Sequence, residues 1–394
     1  MCYAGAESTT AEQLKQLLNF DSYDNNQHLF ASIQTYLSML NSKINGQHKI
    51  ILNTANKIYP KLGFHLNQTY VNTIESSFSS QIQQLDYSKP NESAQIINDW
   101  VSEQTKEKIK NLIHPNIINA STELILVNCV YFKAKWYNQF VKYQTKDDYF
   151  YNDDGTKMKC NMMIMNNKKF EIQIKPCGLD INVCHLPYRG KDVLMCIILP
   201  NKEKHLSDIE KQLNEDLLEN ILNKNDRKYK KLNLHLPKFK LEYKNEISKR
   251  LALKAPFAFD SRADFSGITG NKNSLFISKC LHQSFIEVDE EGTEAAAATA
   301  ISVSRSRSSE PLFDFICNRP FLFFIYENIS KSILFIGKLN QTTFINDDSQ
   351  IRYNHHSRSR QSSKSRRYYR YNDDYDQNYK KRSRRSRSRS FHRR

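Results

Sequence analysis

Residues 290–309 read EEGTEAAAATAISVSRSRSS, and the organisation of the whole chain turns on what this stretch is for. Its acidic start and alanine run predict a helix, whereas the alternating Arg and Ser that follow suit no packed element. It lies between a strand ending Phe285-Ile286-Glu287-Val288 and a hairpin beginning near Phe321. A connection of roughly twenty or more residues between strands is uncommon, and is usually functional or disordered. The bland reading is a loose linker or a short exposed alanine helix. The sharper reading is a segment able to become a strand in the middle of a sheet. Thr293, Ala295, Ala297, Thr299, Ile301 and Val303 then face the core at period two. The first four are small enough to slip under an existing sheet without overpacking it. Gly292 supplies a flexible hinge and Glu294 points outward. The Arg-Ser bonds at 305–308 lie at an exposed tip suited to a protease that prefers arginine.

Outward from this segment the texture is α+β. Residues 10–110 are mostly helical by period. TTAEQLKQLLNF carries a Thr cap and apolar Leu14, Leu17 and Leu18. HLFASIQTYLSML and YVNTIESSFSSQIQQL read as amphipathic helices, and SAQIINDWVSEQTKEKIKNLI as a long surface helix. HKIILNTANKIYP between them alternates as a strand does. From about Thr122 strands dominate. LILVNCVYFKAKW is nearly continuously apolar, as a strand buried on both faces requires. INVCHLPYRGKDVLMCIILP reads as two strands around a Gly-Lys-Asp turn. KLNLHLPKFKLEY alternates, LFISKCLHQSFIEVDEEG is a long strand, and PFLFFIYENISKSILFIGKL a hairpin.

Composition bounds the function. The 394 residues are 39% apolar, with 22 Phe and 21 Tyr, enough to bury a core. The longest apolar runs fall short of the ~20 residues that span a bilayer, so no membrane contact is expected. Of the net charge of +16, residues 341–394 hold 16 Lys or Arg against 5 Asp, or +11, leaving about +5 for the rest. That tail has almost no aliphatic residues and is expected to be disordered. The eight cysteines are scattered without metal-like spacing and read as buried free thiols. No nucleophile elbow, phosphate loop, dinucleotide turn or HExxH site is present, and His355-His356 falls in the tail. The chain is therefore expected not to be an enzyme and to need no metal or cofactor.

EEGTEAAAATA resembles the reactive-loop hinge of inhibitory serpins, the serine protease inhibitors. The likeness extends through INDWVSEQTKEKIKNLI, LILVNCVYFKAKWYNQF, HLPYRGKDVLMCIILP, ADFSGIT and RPFLFFIYENISKSILFIGKL, in the family's order. It implies a serpin fold over residues 1–340, with N-terminal helices packed on large mixed β-sheets, an exposed reactive-centre loop, and a tail over 341–394. It implies a suicide substrate: the protease forms an acyl-enzyme, the cut loop inserts as a new strand, and the protease is distorted. Glu290, Glu291, Gly292, Thr293 and Glu294 then match the hinge, Ala295, Ala296, Ala297 and Ala298 its small-residue run, and Thr299 its next inward position. Trp136 matches the tryptophan where insertion begins. Asn128 and His282 match the polar pair where the middle strands part. Read without the family, Trp136 is a core aromatic and His282 a satisfied strand histidine. Counting from the hinge reaches Ser306 and counting back from Pro320-Phe321 reaches Arg307, so Arg305-Ser306 and Arg307-Ser308 are the candidate reactive bonds, and the expected target is a trypsin-like serine protease. The alternative is a non-inhibitory carrier whose basic tail docks nucleic acid or sulfated glycan.

Two departures from the resemblance stand out. The family has about two helices and a strand before the point where this sequence starts, so an incomplete chain is expected, with any signal peptide lost. The tail is foreign to the family; its Arg, Lys and Tyr suit a polyanion. The expected state is a monomer, extracellular, with a cytoplasmic or nuclear location as the alternative.

Overall fold

Apolar strand runs separated by turn residues build two β-sheets, and amphipathic helices cover them. The computed structural model describes residues 1–23, 25–44, 50–272, 274–293 and 312–342. The helices are α1 (Ser8–Leu17), α2 (Asn26–Ile44), α3 (Gln68–Phe78), α4 (Pro90–Gln104), α5 (Leu206–Gln212), α6 (Glu215–Leu222), α7 (Ser248–Ala252) and α8 (Ser266–Thr269). The strands are β1 (Ile51–Pro60), β2 (Gln81–Ile82), β3 (Leu124–Lys135), β4 (Lys146–Tyr151), β5 (Lys157–Ile174), β6 (Ile181–Pro187), β7 (Val193–Pro200), β8 (Lys228–Pro237), β9 (Phe239–Glu246), β10 (Lys279–Val288), β11 (Gly292–Thr293), β12 (Phe313–Ile316), β13 (Phe321–Glu327) and β14 (Ile333–Leu339).

A six-stranded sheet runs β2-β1-β3-β10-β9, with β11 added to β3; an eight-stranded sheet runs β12-β8-β5-β6-β7-β13-β14, with β4 on β5. At the centre of the first, β3 and β10 are parallel, from Lys279 opposite Ile125 to Phe285 opposite Tyr131. Side-chain alternation along β3 sorts two cores. Ile125, Val127, Cys129 and Tyr131 pack with Ile97 and Val101 of α4. Phe132, Ala134 and Trp136 face the core shared with the second sheet, beside Phe321 and Phe323.

The strand expectations hold with two refinements: LFISKCLHQSFIEVDEEG is a strand only over Lys279–Val288, and KLNLHLPKFKLEY is split at Lys238 between β8 and β9, which belong to different sheets. Three helical expectations are corrected. The helix expected over 70–85 ends at Phe78, where Ser79 adopts a left-handed conformation (φ 48°), and Gln81–Ile82 becomes β2. The helix expected over 93–113 ends at Gln104. Lys106 and Glu107 have φ of 51° and 59°, which no helix accommodates. Ile109, Leu112 and Ile113 are nevertheless buried, so the apolar period there reports core contact without helix. The Thr cap of α1 is also absent: Glu7 occupies the cap position with no side-chain bond, and Thr10 Oγ1 accepts from the backbone N–H of Asp264 instead.

Candidate functional site

The segment expected to act as a hinge begins as a hairpin corner. β10 ends at Val288, the chain reverses over Asp289–Gly292, and it returns along β3 as β11. Gly292 pairs with Lys135 and Thr293 with Ala134, antiparallel. The backbone N–H of Asp289 donates to the carbonyl of Gly292 at 2.8 Å. Its carboxylate Oδ1 accepts from the backbone N–H groups of Glu291 (2.9 Å) and Gly292 (3.1 Å). This is the side-chain-to-backbone turn that Asp favours. Gly292 sits at φ 144°, and a Cβ there would meet Ala134 O at 2.1 Å and Lys135 Cα at 2.6 Å. A glycine is thus required here for close backbone approach.

Long-range contacts clamp the corner. Trp136 donates its indole N–H to the carbonyl of Asp289 (2.9 Å) and its backbone N–H to that of Glu291 (2.8 Å). Its ring stacks on Tyr188 of the second sheet, with centroids 4.4 Å apart and planes at 8°. Both acidic side chains are buried: Glu290 pairs with Lys238 (3.3 Å) and accepts from Thr145 Oγ1 (2.7 Å). Glu291 pairs with Lys142 (3.3 Å) and Lys135 (3.5 Å). Removing one partner of a buried pair held this way is costly, because the other charge is left buried and unpaired. Burial pushes the Asp289 carboxyl up to about 6, against the opposing effect of its two backbone N–H donors. Trp136→Phe keeps most of the stacking and deletes one buried hydrogen bond, leaving the Asp289 carbonyl short of a donor. A loss of about 1–3 kcal/mol in a urea titration is expected.

Further along the same two strands a polar row crosses the sheet. Asn128 and His282 stand opposite each other on β3 and β10, and His282 Nδ1 lies 2.5 Å from Asn128 Oδ1. Asn128 Nδ2 donates to Asn56 Oδ1 of β1 at 2.5 Å. The Asn128 oxygen is therefore the acceptor and His282 Nδ1 carries the proton. Burial lowers the His282 pKa, which keeps the ring neutral at pH 7. Asn56 was missed in the sequence, although an Asn at the centre of an otherwise half-apolar strand was the available signal.

The structure brings Glu290, Glu291, Gly292, Thr293 and Trp136 into one site, and Asn128 and His282 into another on the same pair of strands. The other expected loop residues, Glu294, Ala295, Ala296, Ala297, Ala298, Thr299, Arg305, Ser306, Arg307 and Ser308, lie outside the described residues, as does the tail from residue 343. Cys129, Cys160, Cys184, Cys196 and Cys317 are buried free thiols, while Cys177 is exposed. Among the described residues no helix is long and apolar enough to cross a membrane.

Comparison with known proteins gives these sites a family context. The sequence matches the family described as "Serpin (serine protease inhibitor)" over residues 1–342. It is 34% identical to human (Homo sapiens) Serpin B4 over 355 residues, covering 86% of this chain and 90% of that protein. It is also 34% identical to the leukocyte elastase inhibitor of Sus scrofa over 347 residues, covering 86% and 89%. Among solved structures, Serpin48 of the insect Tenebrio molitor superposes with a TM-score of 0.77 at 31% identity, covering 87% and 88% of the two chains.

Proposed function

We propose that this chain, which belongs to the serpin family, traps a trypsin-like serine protease as a covalent acyl-enzyme by inserting its cleaved loop between β3 and β10. Its α+β architecture is the serpin fold, and its relatives support protease inhibition in general. Trypsin-like specificity rests on Arg305 and Arg307.

The observation that carries this reading is the register at the corner. Asp289 bonds Gly292, so the next rung of the hairpin joins residue 293 to Val288. Residue 293 is at the same time paired with Ala134 of β3. Val288 and Ala134 have the same numerical offset as His282 and Asn128, which are already opposite each other. A strand continuing from β11 thus fits both neighbours at once. β10 has only to move sideways by one strand spacing, about 4.8 Å, with no slip along its length. On this continuation Thr299 comes between Asn128 and His282, and Val303 opposite Leu124, the first residue of β3. The odd-numbered loop residues share the face of Ala134 and Phe132, both buried in the inter-sheet core. Their small size then has a reason. The even-numbered residues Ala296, Ala298 and Ala300 pass beneath α4, where bulk is equally unwelcome.

The chemistry balances without a cofactor. The protease serine adds to the scissile carbonyl, the peptide C–N bond breaks, and the new amine leaves with the second half of the loop. The first half stays as an ester on the enzyme. Insertion replaces the single β3–β10 ladder by two longer ones, a gain of roughly ten hydrogen bonds at ~1 kcal/mol net each. This gain is the driving force available for displacing protease groups, and a displacement of ~1 Å already costs catalysis about 100-fold.

Incubation with trypsin is expected to give a complex that survives boiling in detergent, with mass spectrometry placing the cut after Arg305 or Arg307. Arg305→Ala combined with Arg307→Ala should slow the reaction at least ~100-fold, the scale of losing a specificity contact. Cleavage by trypsin without any complex would instead favour a non-inhibitory carrier.

A further inference from the structure

We propose that Asp289 is a positioning residue that holds the hinge corner closed and makes its closure, and hence the efficiency of trapping, depend on pH. This rests on the inhibitory reading above for its consequence, though not for its physical basis. The corner is one turn with one organiser: Asp289 supplies the backbone N–H that closes it, the carboxylate that accepts the N–H groups of Glu291 and Gly292, and the carbonyl that receives the Trp136 indole. None of these requires the carboxylate to be ionised, since a neutral carboxyl or amide oxygen also accepts.

The surroundings disfavour the ionised form. The charged groups around the corner are Glu290 and Glu291 of the turn, Lys238 between β8 and β9, Lys135 of β3, and Lys142 in the segment before β4. The lysines are engaged by the two glutamates: Lys238 by Glu290, Lys135 and Lys142 by Glu291. Asp289 accepts its hydrogen bonds from neutral backbone donors, and its carboxyl is pushed up to about 6 by burial first, against those two donors, with Glu290 adding to the rise and Lys238 opposing it. In an opened hinge the same group returns to the ordinary range of about 4. A carboxyl whose closed-state pKa is raised contributes stability that is fully present below the opened-state value and is lost as pH rises through about 6. Acid therefore favours the closed corner, and above pH 6 the buried carboxylate favours opening. A difference of about two pH units bounds the change in closure at roughly 100-fold.

The test compares wild type with Asp289→Asn, which keeps the accepting oxygen without the charge, and Asp289→Ala, which removes it. The stoichiometry of trypsin trapping is measured from pH 5.5 to 8.5 and expressed as the ratio of variant to wild type, so that trypsin's own pH dependence cancels. Thermal unfolding of the uncleaved proteins is followed over the same range and down to pH 4.5. At pH 8 Asp289→Asn should trap several-fold more efficiently and melt higher than wild type. Both differences should narrow as the pH falls below 6, the melting difference to a minor remainder by pH 4.5, and Asp289→Ala should trap poorly throughout. A wild-type protein that traps nothing, but whose melting difference from Asp289→Asn still titrates near 6, would sink the inhibitory reading and leave the role of Asp289 standing. A ratio and melting difference that stay constant across the range would overturn the proposal, as would an Asp289→Ala protein indistinguishable from wild type.

Discussion

Thr293→Arg is expected to convert the protein from an inhibitor into a substrate. The rung at residue 293 is already formed against Ala134, which is 1% exposed and belongs to the core shared by the two sheets. An arginine on this rung has to carry its guanidinium into that core when the loop inserts. Among the neighbours of Ala134 on this face, Phe132 and Trp136 offer no carboxylate. A buried charge left unpaired costs several kcal/mol, and a penalty of about 4 kcal/mol on the insertion barrier slows it by about 1,000-fold. Hydrolysis of the acyl-enzyme is untouched by the substitution, so it wins the competition. The measurement is an electrophoretic titration against trypsin. Wild type should give the detergent-stable band at a stoichiometry near one, and the variant only cleaved inhibitor, cut at the same bond. A variant that still forms the complex at wild-type efficiency would mean that residue 293 does not enter the core on insertion.

What the sequence made legible was whatever depends on residue type along one strand. The strand runs, a glycine at position 292 and the polar residues Asn128 and His282 on facing strands all follow from period two or from family motifs. What it hid was set by contacts distant in sequence. Nothing in the vicinity of Glu290 indicates that Lys238 and Thr145 will neutralise and bond it, or that Asp289 will fold its carboxylate back onto the turn. Helix ends were hidden for a different reason. Ser79, Lys106 and Glu107 take left-handed conformations without being glycine, so the apolar period runs on where the helix has stopped. Thr10 has the residue type of a cap, yet its hydroxyl is spent on Asp264, 254 residues away. The split of β8 from β9 at Lys238 has the same origin, because alternation does not record which sheet a strand joins. The residue at that split is the one that pairs with Glu290, so the crossing between sheets also positions the hinge.

Gly292→Val should damage the hinge from the native side, before any protease arrives. A Cβ at this position meets Ala134 O at 2.1 Å, Lys135 Cα at 2.6 Å and Trp136 N at 2.8 Å, all backbone atoms of one continuous strand. Backbone inside a sheet cannot swing aside as the end of a flexible side chain does, and φ 144° is strained for any L side chain. β11 has to leave β3, and with it go the bond from Trp136 N–H to Glu291 and the burial of the two glutamates with their lysine partners. Strain of about 1–3 kcal/mol together with the lost contacts predicts a stability drop of at least ~3 kcal/mol, read from the urea midpoint. Trapping should fall with it, because insertion then has to rebuild the corner that fixes the register with both strands. Gly292→Ala makes a graded comparison: it has the same clash without the added branch, so it should lie between wild type and valine in both stability and complex yield. If stability fell while trapping stayed complete, the corner would be a structural element only, and the register it sets would have no part in guiding the loop.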